Sequence, residues 1–209
     1  MKILSLQESR IPEAIALANR VFRKDGGDMG KDYPLLFSPE NVKNILCVEE
    51  DGKIVSLFGL LFRQIQIFSA MIKASLVGSV CTDERYRGRG YSTFLMNEAG
   101  DYSKEKGASL MLISGDNSIY RKFGAVDAGV YFAHFVDGSS ALADVKYHRA
   151  TLDDLDKLMR FHAMEPVRFV RDKKTFKTML ETSKADNMPA KIFISDSAYV
   201  VITEGVVEE

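Results

Sequence analysis

One junction limits the folds open to this chain more than any other. Residues 80–92, Val-Cys-Thr-Asp-Glu-Arg-Tyr-Arg-Gly-Arg-Gly-Tyr-Ser, run an apolar strand into a turn rich in glycine and arginine that opens a helix. Gly88 and Gly90 lack Cβ atoms, so successive backbone N–H groups can close on an anion, and the helix that follows adds the positive end of its dipole. Arg85, Arg87 and Arg89 bring three formal charges to the same turn. The pattern reads as a phosphate cradle set between a strand and a helix; the competing reading is a solvated basic turn.

Other phosphate loops fit less well. A nucleotide-binding P-loop ends in Gly-Lys-Ser/Thr, whose lysine and hydroxyl hold phosphates and Mg²⁺, whereas this turn ends Gly90-Tyr91-Ser92. A dinucleotide fingerprint needs a third small residue for helix–strand packing, and position 93 is Thr. No acidic residue closes a following strand at the ribose-binding distance.

Composition narrows the setting. The 209 residues are 46% hydrophobic and 27% charged, enough for a globular core in one or two domains. Lys+Arg 28 against Asp+Glu 29 leaves a net charge of -1, so bulk electrostatics argue for neither a nucleic-acid nor an anionic-membrane partner. Cys47 and Cys81 stand far apart without a Cys-x-x-Cys, and with only three histidines neither a disulfide framework nor a metal site is expected. His134, His148 and His162 have no motif around them and read as structural or surface residues. The N-terminus lacks the apolar core of a signal peptide, and no apolar run approaches the ~20 residues that span a bilayer, so a reducing cytoplasm is expected.

The order of elements follows from periodicity and punctuation. Residues 3–6 form a short strand; Pro12 starts a helix whose Ala14, Leu17, Ala18, Val21 and Phe22 fall on one face. Residues 24–30 read as a mobile loop able to line a cleft, and 39–46 as a second short helix. Strands at 47–50 and 54–68 flank Asp51-Gly52, a two-residue hairpin signal, and 72–81 add a third antiparallel strand. After the glycine turn, Tyr91, Leu95, Ala99 and Tyr102 mark a helix face that Gly107 ends. A strand at 110–113 buried on both faces, a short helix at 117–123 and a strand at 126–136 complete the unit.

The Arg-x-x-Gly-x-Gly pattern at 85–90, in this β-α-α-β-β-β-α-β-α-β order, resembles the acyl-CoA pyrophosphate motif of the GNAT superfamily of N-acyltransferases. The resemblance covers residues 1–136 and implies an α+β fold, a mixed β-sheet flanked by helices. After a linker at 137–144, residues 145–209 start the pattern again: a strand, Thr151 as N-cap with Asp154 three residues on, and Leu155, Leu158, Met159 and His162 on a helical face. A helix at 172–182, strands at 191–195 and 198–203, a turn at Glu204-Gly205 and a run from Val206 follow. This resembles the opening half of another GNAT unit, degenerate because it lacks the glycine motif, and expected to hold no cofactor site of its own. The alternative is that these elements extend or cover the first sheet. The apparent second unit and Ile-Tyr-x-x-Phe-Gly at 119–124 look most like the enhanced-intracellular-survival type of tandem acetyltransferases. Those proteins use a terminal carboxylate in catalysis; because Glu209 falls inside the second unit here, that role is not carried over.

The resemblance implies an N-acetyltransferase that moves the acetyl group of acetyl-CoA, as co-substrate, to a primary amine of a small molecule or peptide by direct attack. The alternative is a non-catalytic acyl-CoA-binding regulatory module, with a phosphate-dependent interaction domain as a third reading; homo-oligomerisation stays open. Pantetheine would lie along Val80, Cys81 and Thr82, on a strand that in this family splays from its neighbour. The pyrophosphate would meet Arg85, Arg87, Gly88, Arg89, Gly90, Tyr91 and Ser92, and Asn117 would border the cofactor. Tyr120 would protonate the departing thiolate, since a phenol of ordinary pKa ~10 is protonated at neutral pH; the competing role is packing beneath the sheet. Cys81 invites a nucleophile role, but no histidine accompanies it and an apolar strand favours a small buried hydrophobe. Asp83 and Glu84 are either water-mediated bases or charge partners of the arginines.

Overall fold

The computed structural model describes residues 2–115, 117–128, 146–185, 188–203 and 206–207. The chain divides into two compact units, Met1–Phe123 with Pro166–Val170, and Gly124–Glu165 with Arg171–Glu209. The first carries the glycine turn.

Strand β1 (Lys2–Ser5) leads into α1 (Ile11–Phe22), where Pro12 occupies the first turn and Ala14, Leu17 and Ala18 form the buried stripe. The loop expected at 24–30 runs through Asp28 and gives way to a short helix, α2 (Met29–Asp32). Its pins come from side chains that periodicity does not reveal. Asn19 Oδ1 accepts from the Met29 N–H at 2.7 Å, Asp28 Oδ1 from the Gly30 N–H at 2.8 Å, and Arg23 pairs with Asp32 at 2.7 Å. The second expected helix is a 3₁₀ segment, Pro39–Asn44, and Ile45 and Leu46 belong to β2 (Ile45–Glu50), where the sheet buries both.

Asp51 and Gly52, both at positive φ (49° and 75°), turn β2 into β3 (Lys53–Ile67), as a two-residue hairpin of matching twist requires. β3 pairs antiparallel with β4 (Ala70–Thr82). Helix α3 (Tyr91–Glu105) then crosses back to β5 (Leu110–Ile113), which runs parallel to β4. Leu110 is 44% exposed, so β5 is not buried on both faces as its sequence suggested. Helix α4 (Ser118–Phe123) closes this part of the unit. The strand expected at 126–136 falls mostly outside the described residues, and 126–128 are not extended into one.

Among the described residues the sheet order is β1-β2-β3-β4-β5. Each face has its own core. One side packs Leu17, Met29, Leu36, Phe37, Leu57 and Cys81; the other packs Val55, Phe58, Leu60, Tyr91, Leu95 and Met96. Burial of this kind stabilises by roughly 1.5–3 kcal/mol per large side chain, before conformational entropy is counted.

In the second unit, β6 (His148–Arg149) precedes the Thr151–Asp154 capping box and α5 (Leu155–Met164), which buries Leu155, Leu158 and His162. The segment Val167–Phe169, not anticipated as a strand, belongs to the first unit as β7 and pairs antiparallel with β3 there. Helix α6 (Lys173–Thr182), capped by Asp172, is followed by β8 (Lys184–Ala185), β9 (Met188–Ile194), β10 (Tyr199–Thr203) and β11 (Val206–Val207). β10 lies between β9 and β11, and its Val201 is in a core with Leu158, Phe176 and Ile194. Buried His162 meets the Tyr199 hydroxyl at 3.1 Å, and exposed His148 meets Asp154 at 3.1 Å; His134 lies outside the described residues.

Candidate functional site

The site grows from an opening in the sheet. The β4–β5 register runs from Ala74↔Leu110 to Val77↔Ile113 and stops, so β4 from Gly78 to Thr82 has no β5 partner among the described residues. Backbone polar groups on that edge are available to a ligand. On its other side β4 keeps β3, but with a bulge: Leu57 pairs with Cys81 and Gly59 with Gly78, leaving both Ser79 and Val80 opposite Phe58. Ser79 takes φ 53° there.

At the end of β4, hydroxyls lock strand to helix. Thr82 Oγ1 lies 2.8 Å from Ser56 Oγ and 2.9 Å from Ser92 Oγ, and the Ser56 hydroxyl donates to the Cys81 carbonyl at 3.0 Å. Thr82 and Ser92 therefore spend their side chains on fixing the junction. Gly88 and Gly90 both adopt left-handed φ (78° and 77°), and a Cβ built on either would meet nothing within 4 Å. Gly90 precedes the first turn of α3 without a side-chain cap, so that turn's N–H groups face an uncrowded turn. Tyr91 turns its ring into the core at 7% exposure, leaving only its backbone for an anion.

The three arginines surround this turn, each with an acidic partner. Arg85 grips Asp83 through Nε and Nη2, both at 3.0 Å; Arg87 stands 3.7 Å from Glu84; Arg89 reaches Glu50 at 3.0 Å and lies over the Tyr86 ring at 4.9 Å. Their side chains are 77%, 55% and 51% exposed, and ion pairs so open to water are weak enough to exchange for a phosphate. Asp83 is buried, also receives Arg20 at 3.4 Å, and is held down to about 2, chiefly by the Arg85 hydrogen bond. Glu84 is bonded to Lys24 at 2.8 Å. Both acids are thus charge partners, which leaves the base unassigned.

Val80 packs toward the α3 face and Cys81 lies buried on the other. Burial pushes the Cys81 thiol up to about 12, so it is not a thiolate at neutral pH, which argues against the nucleophile role. Asn117 Oδ1 accepts from the Ile119 N–H at 3.1 Å, so its side chain starts α4. Tyr120 packs against the same apolar cluster as Val77 and Val80, and its ring edge lies 3.6 Å from the place a Cβ would take on Gly115. Burial raises its phenol above the ordinary value, which keeps the proton on oxygen.

Two positions escaped the sequence reading. Gly100 of α3 is buried beneath Phe123: a Cβ there would sit 2.5 Å from Phe123 Cζ, so the missing side chain seats α4. An isolated glycine inside a helical pattern is the signal that could have found it. Asn41, 6% exposed, donates to the carbonyls of Leu36 at 2.8 Å and Leu60 at 3.0 Å and accepts from Asn44 at 2.9 Å. It holds Leu36 in a notch between the paired glycines Gly59 and Gly78, next to the bulge. No local pattern distinguishes this asparagine from a surface one.

Comparison with known proteins bears on the fold and the family. The family model described as an acetyltransferase (GNAT) domain matches residues 2–126. No curated protein matches the chain. Among solved structures, a GCN5-related N-acetyltransferase from Kribbella flavida is similar at a TM-score of 0.66 and 17% identity over 99% of this chain and 55% of that one. A probable N-acyltransferase from Enterococcus faecalis gives 0.73 and 14% over 99% and 56%, and Eis1 from Mycobacterium abscessus 0.68 and 14% over 96% and 53%. These likenesses are of fold, and the chain spans about half the length of each of those proteins. With the family's sequence pattern matched over more than half of its length, the chain belongs to the GNAT acetyltransferase family.

Proposed function

We propose that this chain transfers an acetyl group from acetyl-CoA to a primary amine of a small molecule or peptide. The observation that carries the reading is the coincidence of an unpaired stretch of β4 with a left-handed glycine turn, three open arginines and the uncapped start of α3. The residues present fit acetyl-CoA. The turn offers backbone N–H groups with no side chain over them and exchangeable guanidinium groups for a pyrophosphate, and the edge at 78–82 offers amides and carbonyls to an extended pantetheine.

Acetyl-CoA supplies an activated acyl carbon. The amine forms the N–C bond, the C–S bond breaks, and the amine loses a proton while the sulfur gains one. The chain's contribution is to hold the thioester against β4 and to offer a proton at Tyr120 Oη. Its raised pKa keeps that site protonated through the neutral range, so a proton is at hand for the sulfur as the C–S bond breaks.

Release of free CoA from acetyl-CoA, followed with a thiol reagent across a panel of amines, tests the reading. Amine-dependent release in equal amount to N-acetylated product supports it. Tight CoA binding without release from any amine favours the regulatory-module reading, and absence of CoA binding removes both.

A further inference from the structure

The opening along β4 has a closed end. The pair Val77↔Ile113 shuts the edge just beyond Gly78, and on the α3 face Val77, Val80, Ile113 and Tyr120 pack into one apolar cluster. The other face is bare sheet under a borrowed side chain. Gly78 pairs with Gly59, and Leu36, from the turn between α2 and the 3₁₀ segment, lies over both. Gly59 is explained by backbone crowding, since a Cβ there would stand 2.8 Å from the Gly78 carbonyl oxygen. Gly78 is not: among the described residues, its chain neighbours aside, the one heavy atom within 4 Å of the place its Cβ would take is Leu36 Cδ2, at 3.2 Å. Gly78 is half-buried and Leu36 is 5% exposed. The sheet thus clears a space at the end of the opening, and Leu36 fills it. Backbone groups hold the turn in place: the Leu36 N–H donates to the Tyr33 carbonyl at 3.1 Å, and Asn41 Nδ2 donates to the carbonyls of Leu36 at 2.8 Å and of Leu60, in β3, at 3.0 Å. Trimming the Leu36 side chain therefore leaves a cavity that the turn is not free to collapse into.

Resting on the acetyl-CoA reading above, we infer that Leu36 sets the length of the acyl group this chain accepts. A cofactor with its pyrophosphate at Gly88–Gly90 and its pantetheine running back along β4 from Thr82 brings its acyl end to Gly78. The edge ahead is paired and the α3 face is packed, so a tail longer than acetyl has one direction left, across the bare face of Gly78. There it meets the Leu36 methyls. Leu36 touches the acyl tail of a longer donor and takes no part in bond making; it is a determinant of specificity.

Calorimetric titration with acetyl-, propionyl- and butyryl-CoA tests this without an acceptor amine. Wild type is expected to gain no affinity as the acyl group lengthens. In Leu36→Ala, whose side chain stops at Cβ, butyryl-CoA should bind about tenfold to twentyfold more tightly than acetyl-CoA, the worth of two buried methylenes. In the milder Leu36→Val, which carries the test if the alanine variant does not fold in a denaturant titration, propionyl-CoA should gain about fourfold over acetyl-CoA. Adding Gly78→Ala to Leu36→Ala returns a methyl group to the cleared space and should cancel the gain, a reversal that a merely structural role for Leu36 would not give. Equal affinity for the three donors in wild type and in both Leu36 variants overturns the role of Leu36 and leaves the acetyl-CoA reading standing. So does a wild-type chain that already binds butyryl-CoA more tightly than acetyl-CoA. A wild-type chain that binds none of the three overturns both.

Discussion

Replacing Gly100 with alanine separates packing from chemistry at the α3–α4 seat. The added Cβ would lie 2.5 Å from Phe123 Cζ and 3.2 Å from Cε2, against a carbon–carbon contact of about 3.5–4.0 Å, so the ring must withdraw by about 1–1.5 Å. Overpacking of that size costs about 1–3 kcal/mol, and alanine's helix propensity over glycine returns about 1 kcal/mol, for a net loss of about 0–2 kcal/mol. Phe123, 39% exposed, can move only by swinging outward or by carrying α4 with it. Tyr120 stands one turn earlier on that helix, and a shift of about 1 Å in a reacting group can cost about a hundredfold in rate. Gly100→Ala is therefore expected to stay folded in a denaturant titration, bind CoA as before and turn over ten- to a hundredfold more slowly. The double variant with Phe123→Leu, which removes the far ring atoms, should recover most of that loss. Unchanged turnover in the single variant would refute the seat.

Tyr120→Phe keeps the ring and removes the acid, so kcat should drop by about a hundredfold at constant CoA affinity, measured by steady-state kinetics beside calorimetry. Asn41→Ala strips the hydrogen bonds from the buried carbonyls of Leu36 and Leu60 and should cost about 2–4 kcal/mol in urea unfolding. The Asp83 carboxyl, held to about 2 when folded against 3.8 unperturbed, contributes stability that is present above about pH 4 and lost as pH falls toward 2. Acid unfolding of Asp83→Asn should be flatter in that window, by an amount tempered by the exposure of Arg85.

Much of the site was legible because it is local. Glycines in series with arginines, between an apolar strand and a helix face, specify a turn whose backbone must be left-handed, and Gly88 and Gly90 are so. The short helix that carries Tyr120 was expected at 117–123 and is found at Ser118–Phe123, while the role given to Tyr120 comes from the resemblance of Ile-Tyr-x-x-Phe-Gly. What escaped depends on partners distant in sequence. Helix α2 is held by Asn19 of α1 and by Arg23 just past its end, the notch at Gly59 and Gly78 is filled by Leu36, and β7 joins β3 from about a hundred residues away. The bulge at Ser79 leaves no mark in the pattern, because one extra residue in a strand of thirteen shifts the register of a sequence that is apolar on both faces.

Calorimetric titration of acetyl-CoA into the wild-type chain and into Gly90→Ala bears most directly on the cofactor cradle. The new Cβ meets no protein atom, so apart from the backbone strain at φ 77° it acts only on what approaches the turn. The account expects one site per chain and at least a tenfold loss of affinity in a variant that still unfolds cooperatively. Equal affinity in the two proteins would contradict it.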